Sequence, residues 1–267
     1  MKYIFLVSIL MLELFGAVIE SPIVNVIVND DDVKVTIEID KVDVGMSGFI
    51  VHKIADGHTS ILNNAVVTSY NKDTKVATLK LTEFNALSNS ALPNGNWKVQ
   101  VGDTAVLAFG YTRGMLIAPN ENIYYKISKH SKIQWIHPDI FATMLSFNGH
   151  PTPLREDFTQ MSIASSVGLV YIYLNQIVYT LDSKSFKILA TTDAKLNQDS
   201  VNLPFYTRVP EIDSNWWGDG SSELDEYEPH YYELLAKANP KNRQLYNIVK
   251  SGGEKLEDAL EEFEIKE

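Results

Sequence analysis

Residues 33–39, VKVTIEI, alternate apolar and polar without a break: Val33, Val35, Ile37 and Ile39 share one face, and Lys34, Thr36 and Glu38 the other. A period of two is that of a half-buried strand, whereas a helix repeats its apolar positions every three or four residues. Segments 24–28, 47–52, 60–69, 75–81, 97–99 and 104–109 are also short and strand-like. Polar turns such as 29–32, 71–74 and 94–96 separate them. Several short strands at this spacing predict a small antiparallel β-barrel or sandwich over residues 22–118. Within it Gly45 and Gly48 mark a bulge or tight bend, and 101–103 is a turn entering a strand.

The pattern changes near Pro119. Helices are expected at 121–129, with Asn120 as N-cap, at 138–147, with Pro138 in the first turn, and at 154–165. A short strand at 133–136 and three more at 168–174, 176–181 and 186–191 make residues 119–210 a small α+β domain. Segment 204–210 docks as an extended stretch, because Phe205, Tyr206 and Val209 need burying. Beyond it, 211–267 is an acidic loop followed by short helices at 231–239 and 242–250, with Pro240 between them and Gly252-Gly253 after. Residues 254–265 put Leu256, Ala259, Leu260 and Phe263 on one face. So short a helix cannot hold itself in water, and this end reads as a loosely attached helical tail. The fold class is α+β: an N-terminal barrel or sandwich, a small α+β domain, and an acidic helical tail.

Residues 1–18 stand outside this pattern. Lys2 precedes an apolar run at 3–12, which 14–18 extend past Glu13. That is the form of an export signal, and it is short for a spanning helix. The segment is read as a signal peptide. Cleavage after Ala17 would leave Phe15 where a small residue is preferred, so an uncleaved N-terminal anchor is the other reading. Export places the protein in the periplasm, at the outer membrane or on the surface of a Gram-negative cell, touching a membrane only through that N-terminus. The chain has no cysteine, which argues against a lipoprotein anchor, disulfides, thiol catalysis and Cys-based metal sites.

The net charge of −11 is unevenly spread: residues 210–267 hold 15 Asp and Glu against 6 Lys and Arg. An acidic end without a basic stripe argues against nucleic acid and against anionic membrane surfaces.

No chemical motif accompanies this architecture. His52, His58, His130, His137, His150 and His230 fall in separate elements and in no metal-ligand spacing, so packing or surface roles are expected. His52 and His58 flank a turn and can approach each other across a hairpin. His137-Pro138-Asp139 reads as a helix entry. GxSxG is absent, and the glycines at 45–48 lack a phosphate-cradle spacing. The loop from Asp213 resembles a calcium loop only in part, since Trp217 stands where an oxygen ligand is needed and Leu224 where the closing Glu belongs. No enzyme activity, cofactor or metal site is therefore expected. Trp216-Trp217, flanked by carboxylates, can stack on sugars or anchor a protein interface; otherwise one ring plugs the core and its neighbour covers an edge.

Four blocks carry a family likeness: VGMSGFIVHK (44–53), MLIAPNENIYYKIS (115–128), SVGLVYIYLNQIVYTLDSKSFKIL (166–189) and LPFYTRVPEID (203–213). In this order and spacing they resemble the N-terminal domain of the bacterial plasminogen-binding proteins A and B, from about residue 42 to 235, without the long charged tail of the best-known members. The resemblance implies an envelope or surface protein that binds plasminogen, whose kringle domains capture lysine side chains beside a carboxylate. The acceptor lysines it implies here are Lys250, Lys255 and Lys266. Lys255, beside Glu254, Glu257 and Asp258, is the closest substitute for a terminal lysine. A periplasmic structural or assembly factor, and a carbohydrate-binding module, are the alternatives.

Overall fold

The computed structural model describes residues 17–30, 32–84, 97–129 and 131–265, so almost all of the expected signal segment lies outside the described residues. Among those described, no helix is long and apolar enough to cross a membrane. The chain divides into two compact units, one reaching to Tyr111 and the other running from Thr112.

The first unit is a closed barrel of six strands: β1 (Ile19–Asn29), β2 (Asp32–Glu38), β3 (Ser47–Ala55), β4 (His58–Asn71), β5 (Val76–Glu83) and β6 (Thr104–Leu107). The order around the barrel is β1-β2-β5-β4-β3-β6, and antiparallel pairing of Ile19–Pro22 with β6 closes it. Closure leaves no strand edge unpaired, which a sandwich would have to protect by other means. Val35 and Ile37 are fully buried, as the alternation in β2 demands. The narrow interior combines Ile50, Leu79 and Leu107 with Ala65, Ala77 and Ala105, all buried.

Gly45 adopts a left-handed φ of 99°, in keeping with a tight bend. Gly48 has a different role. It pairs with Ala65 on one side and Leu107 on the other, and a Cβ there would lie 2.0 Å from the Val106 carbonyl oxygen. Close approach of β3 and β6, and not a bulge, explains this glycine; the bulges of the β3–β4 pair fall further on. The strand expected at 97–99 is absent too. Trp97 instead stacks on His52, with ring centroids 6.1 Å apart. His52 Nδ1 lies 2.7 Å from buried Asp103, whose other oxygen accepts from the Gln100 N–H at 2.9 Å.

The second unit is built on a five-stranded sheet in the order β11-β10-β9-β7-β8. Its strands are β7 (Arg113–Ile117), β8 (Gln134–Ile136), β9 (Leu169–Leu174), β10 (Ile177–Asp182) and β11 (Ile188–Asp193). β8 and β9 flank β7 in parallel, and β9–β10–β11 form an antiparallel meander. Parallel neighbours need crossovers, supplied here by α1 (Glu121–Ser128), α2 (Pro138–Asn148) and α3 (Arg155–Ser165). Asn120 caps α1 by accepting from the Ile123 N–H at 2.9 Å. His137 caps α2 by accepting at Nδ1 from the Asp139 N–H at 3.2 Å. Phe141, Phe158, Phe186 and Phe205 form a chain of ring contacts through the core, with neighbouring centroids 4.8 to 5.5 Å apart.

The C-terminal helices are part of this core, contrary to the loosely attached tail expected from their length. They are α4 (Tyr227–Ala238), α5 (Arg243–Ser251), a 3₁₀ turn (Gly253–Leu256) and α6 (Glu257–Glu261). Tyr231, Tyr232, Leu235, Leu245, Val249, Leu256 and Ala259 are buried with the phenylalanines in one cluster. The Tyr227 hydroxyl lies 3.1 Å from the Tyr173 carbonyl and 3.3 Å from that of Ile117, tying α4 to the ends of β9 and β7. Tyr231 donates to the Pro204 carbonyl at 3.0 Å. Asn239 joins the end of α4 to β11: its Oδ1 accepts from the Ile188 N–H at 3.0 Å, and its Nδ2 donates to the carbonyls of Leu235 and Phe186. Helices too short to persist alone are stabilised by burying one face.

Two predictions follow from this packing. Leu235→Ala is expected to cost about 2–5 kcal/mol and Tyr227→Phe about 1–2 kcal/mol, read from denaturant melts of the intact chain. The second concerns acid. Burial is the main cause that holds His230 and His137 below the usual histidine value of 6.5. The unfolded chain then takes up protons before the folded one, so stability present above pH 6.5 is lost as the pH falls below it. Melts between neutral pH and pH 5 are expected to show a falling Tm, with a shallower slope in His230→Gln.

Candidate functional site

The expected binding residues fall on two separate features of the second unit. One is the loop 211–226, which holds Glu211, Asp213, Asp219, Glu223, Asp225 and Glu226 and no lysine or arginine. It is pinned to the end of α2 and the segment after it. Ser146 Oγ donates to the Asp213 carboxylate at 2.8 Å and accepts from the Asp213 N–H at 3.0 Å. Asn215 donates from its side chain to the Asn148 carbonyl and from its backbone to that of Gly149. Gly149 has φ +72°, and a Cβ there would meet the Asn215 side chain at 2.2 Å, so the helix stop and the loop anchor require the same glycine. Thr152 fastens the far side, through its N–H to the Gly220 carbonyl and its hydroxyl to that of Ser222.

So anchored, the loop holds both tryptophans out into solvent. Trp216 is 99% exposed and Trp217 85% exposed, so neither plugs the core. Phe147, in the last turn of α2 beside the anchor, is 92% exposed. The sequence reading missed Phe147, although its helical position held the signal. Phe141 and Leu145 stack on one face at a spacing of four, and Phe147 falls well round the helix from them.

The other feature is the set of C-terminal lysines. Lys250, on α5, lies over the Tyr246 ring, 5.6 Å from its centroid. Lys237 pairs with Glu233 and Glu262, and Lys241 with Glu264 at 3.4 Å. Lys255, in the 3₁₀ turn, is exposed and draws no ion pair to a described residue. Glu254, Glu257 and Asp258 beside it are exposed as well. It borders a cleft of 440 Å³ whose lining also includes Asp225, Glu226, Glu228 and Tyr232. Lys266 lies outside the described residues.

The described histidines each have a local partner. His52 meets Asp103, His58 faces the Asp56 carbonyl and His137 caps a helix. His150 bonds buried Asp157 at 2.9 Å, and His230 donates to the Pro153 carbonyl at 2.9 Å. His52 and His58 bond different groups and do not form a pair. No group of three or more His, Asp or Glu among the described residues is placed to hold a metal ion.

Comparison with known proteins points in one direction. Two curated relatives from Helicobacter pylori, both named plasminogen-binding protein PgbA and drawn from strains J99 and 26695, are each 29% identical over 202 residues. The alignment covers 74% of this chain and 44% and 43% of those proteins, so the chain spans less than half of their length. A solved siderophore-interacting protein from Acinetobacter baumannii overlaps 46% of this chain and 56% of its own at 15% identity, with a TM-score of 0.24, too low to carry an argument. The family model described as plasminogen-binding protein PgbA N-terminal matches residues 18–235, which include the barrel, the second sheet and the tryptophan loop. That match covers well over half of the residues, and the chain belongs to the PgbA N-terminal family.

Proposed function

We propose that this chain is an exported, non-enzymatic cell-envelope protein that binds a protein partner, with plasminogen the partner that its relatives' names indicate. The observation that carries this reading is Lys255. Lysine capture needs a cation free to leave its own protein and enter a pocket of carboxylates and aromatic rings, with a carboxylate beside it to complete the ligand. Lys237 and Lys241 are held by their own glutamates, whereas Lys255 stands in solvent with Glu254, Glu257 and Asp258 around it. The short turn that carries it is fixed by buried Leu256, so the lysine is presented from a rigid base. The basic residue and apolar run at the N-terminus support export.

The test is binding of the purified chain to immobilised plasminogen, with and without free lysine as competitor. Saturable binding that free lysine displaces is expected, and Lys255→Ala should weaken it by at least about tenfold, or 1.4 kcal/mol. Binding unaffected by both free lysine and Lys255→Ala would remove the lysine-capture reading, and no binding at all would remove plasminogen. Fractionation of a Gram-negative host expressing the whole chain should recover it in the envelope fraction; recovery in the cytoplasm would overturn export.

A further inference from the structure

The loop 211–226 also forms one wall of a cleft of 260 Å³. Pro204, Val209, Ile212 and Leu224 are among the apolar residues of that cleft, whose lining is mixed and includes Thr207. The charged residues in its lining are Glu211 and Glu223; both are exposed, and neither draws an ion pair from a described residue. Its lining includes Pro151, from the same segment that anchors the tryptophan loop through Gly149 and Thr152. One short crossing of chain therefore sets both the exposed rings and the cleft.

The chemistry of this surface is selective. A lining that mixes apolar side chains with two carboxylates suits a side chain with a methylene stem and a cationic head. Exposed indole faces attract the same cations. With six carboxylates and no basic residue in the loop, an anionic partner or an anionic lipid surface is repelled. A neutral sugar could stack on the rings but would leave the two glutamates unused.

We propose that loop 211–226, together with Phe147, docks a lysine- or arginine-rich segment of a protein partner. One cationic side chain enters the cleft between Glu211 and Glu223, and Trp216 and Trp217 cover its neighbours. The polarity is opposite to that of Lys255: there the chain offers a cation, and here it receives one. The two sites are therefore independent.

A fluorescently labelled peptide of alternating lysine and glycine tests this by anisotropy against the whole chain. Binding is expected that weakens as salt is raised and is lost when the peptide's lysines are acetylated. W216A/W217A and E211Q/E223Q should each weaken it by at least about tenfold, as loss of an interface anchor or its charge partner does. E38Q/E83Q, which removes the same charge from the barrel, should leave it unchanged. All four altered loop side chains are exposed, so both variants should melt as the parent does; acetylation of the peptide asks the same question of the unaltered protein. Equal binding of the acetylated peptide, or indifference to either loop variant, overturns the proposal. So does failure to bind the lysine peptide while an oligosaccharide or phosphatidylcholine vesicles bind through the tryptophans.

Discussion

Strand β9 is buried at every one of its residues, and the second unit is arranged to meet that demand. A strand in that position carries apolar groups on both faces, so the sheet needs a layer on each side. On one side Trp135 lies against Tyr171, ring centroids 5.0 Å apart, and α1 contributes buried Ile123 and Tyr124. On the other lie the phenylalanine chain and α4. The Tyr227 hydroxyl reaches the carbonyls where β7 and β9 end, so the third layer is joined to the sheet by hydrogen bonds as well as by apolar contact. Polar tips on apolar rings allow such a joint without an unsatisfied buried group.

That layer also governs where the charge of the acidic end can go. Tyrosines, leucines and valines of α4, α5 and the 3₁₀ turn face inward, and the carboxylates that give this end its charge stay at the surface. Lys237 and Lys241 are drawn into pairs with glutamates, whereas Lys255 on its turn makes no ion pair with a described residue. On the loop before α4 the balance is reversed, since no lysine or arginine is present to neutralise its carboxylates. The second unit thus exposes a lysine on one short segment and a set of carboxylates on another, each with its backbone held by buried or hydrogen-bonded neighbours. Preorganisation of this kind lowers the ordering cost of association.

Much of this was legible in the residues. The alternation at 33–39 foretold β2 and its inward Val35 and Ile37. Asn120 before 121–129 and Pro138 after His137 marked the starts of α1 and α2, because capping and the first helical turn are local chemistry. The family likeness in four blocks was also legible, since it depends on spacing along the chain. Three readings failed where a distant partner decides. Trp97-Lys98-Val99 has strand composition, yet Trp97 stacks on His52, and that histidine in turn bonds Asp103, more than fifty residues beyond it. Gly48 looked like a bulge and proved to be a point of close strand approach. The short C-terminal helices looked weak by themselves and are held by a sheet formed far earlier in the chain.

By itself the sequence determined the periods, the caps, the family and the acidic balance, because each of these is set by neighbouring residues or by their order. Only the tertiary structure decided that the strands close into a barrel, since closure depends on β1 meeting β6 across most of the unit. It alone decided that the helical end belongs to the core, and that Trp216, Trp217 and Phe147 are each exposed to solvent, because solvent exposure depends on what the rest of the chain covers. The same holds for Lys255: its composition is local, but its freedom depends on which carboxylates the fold brings to the other lysines.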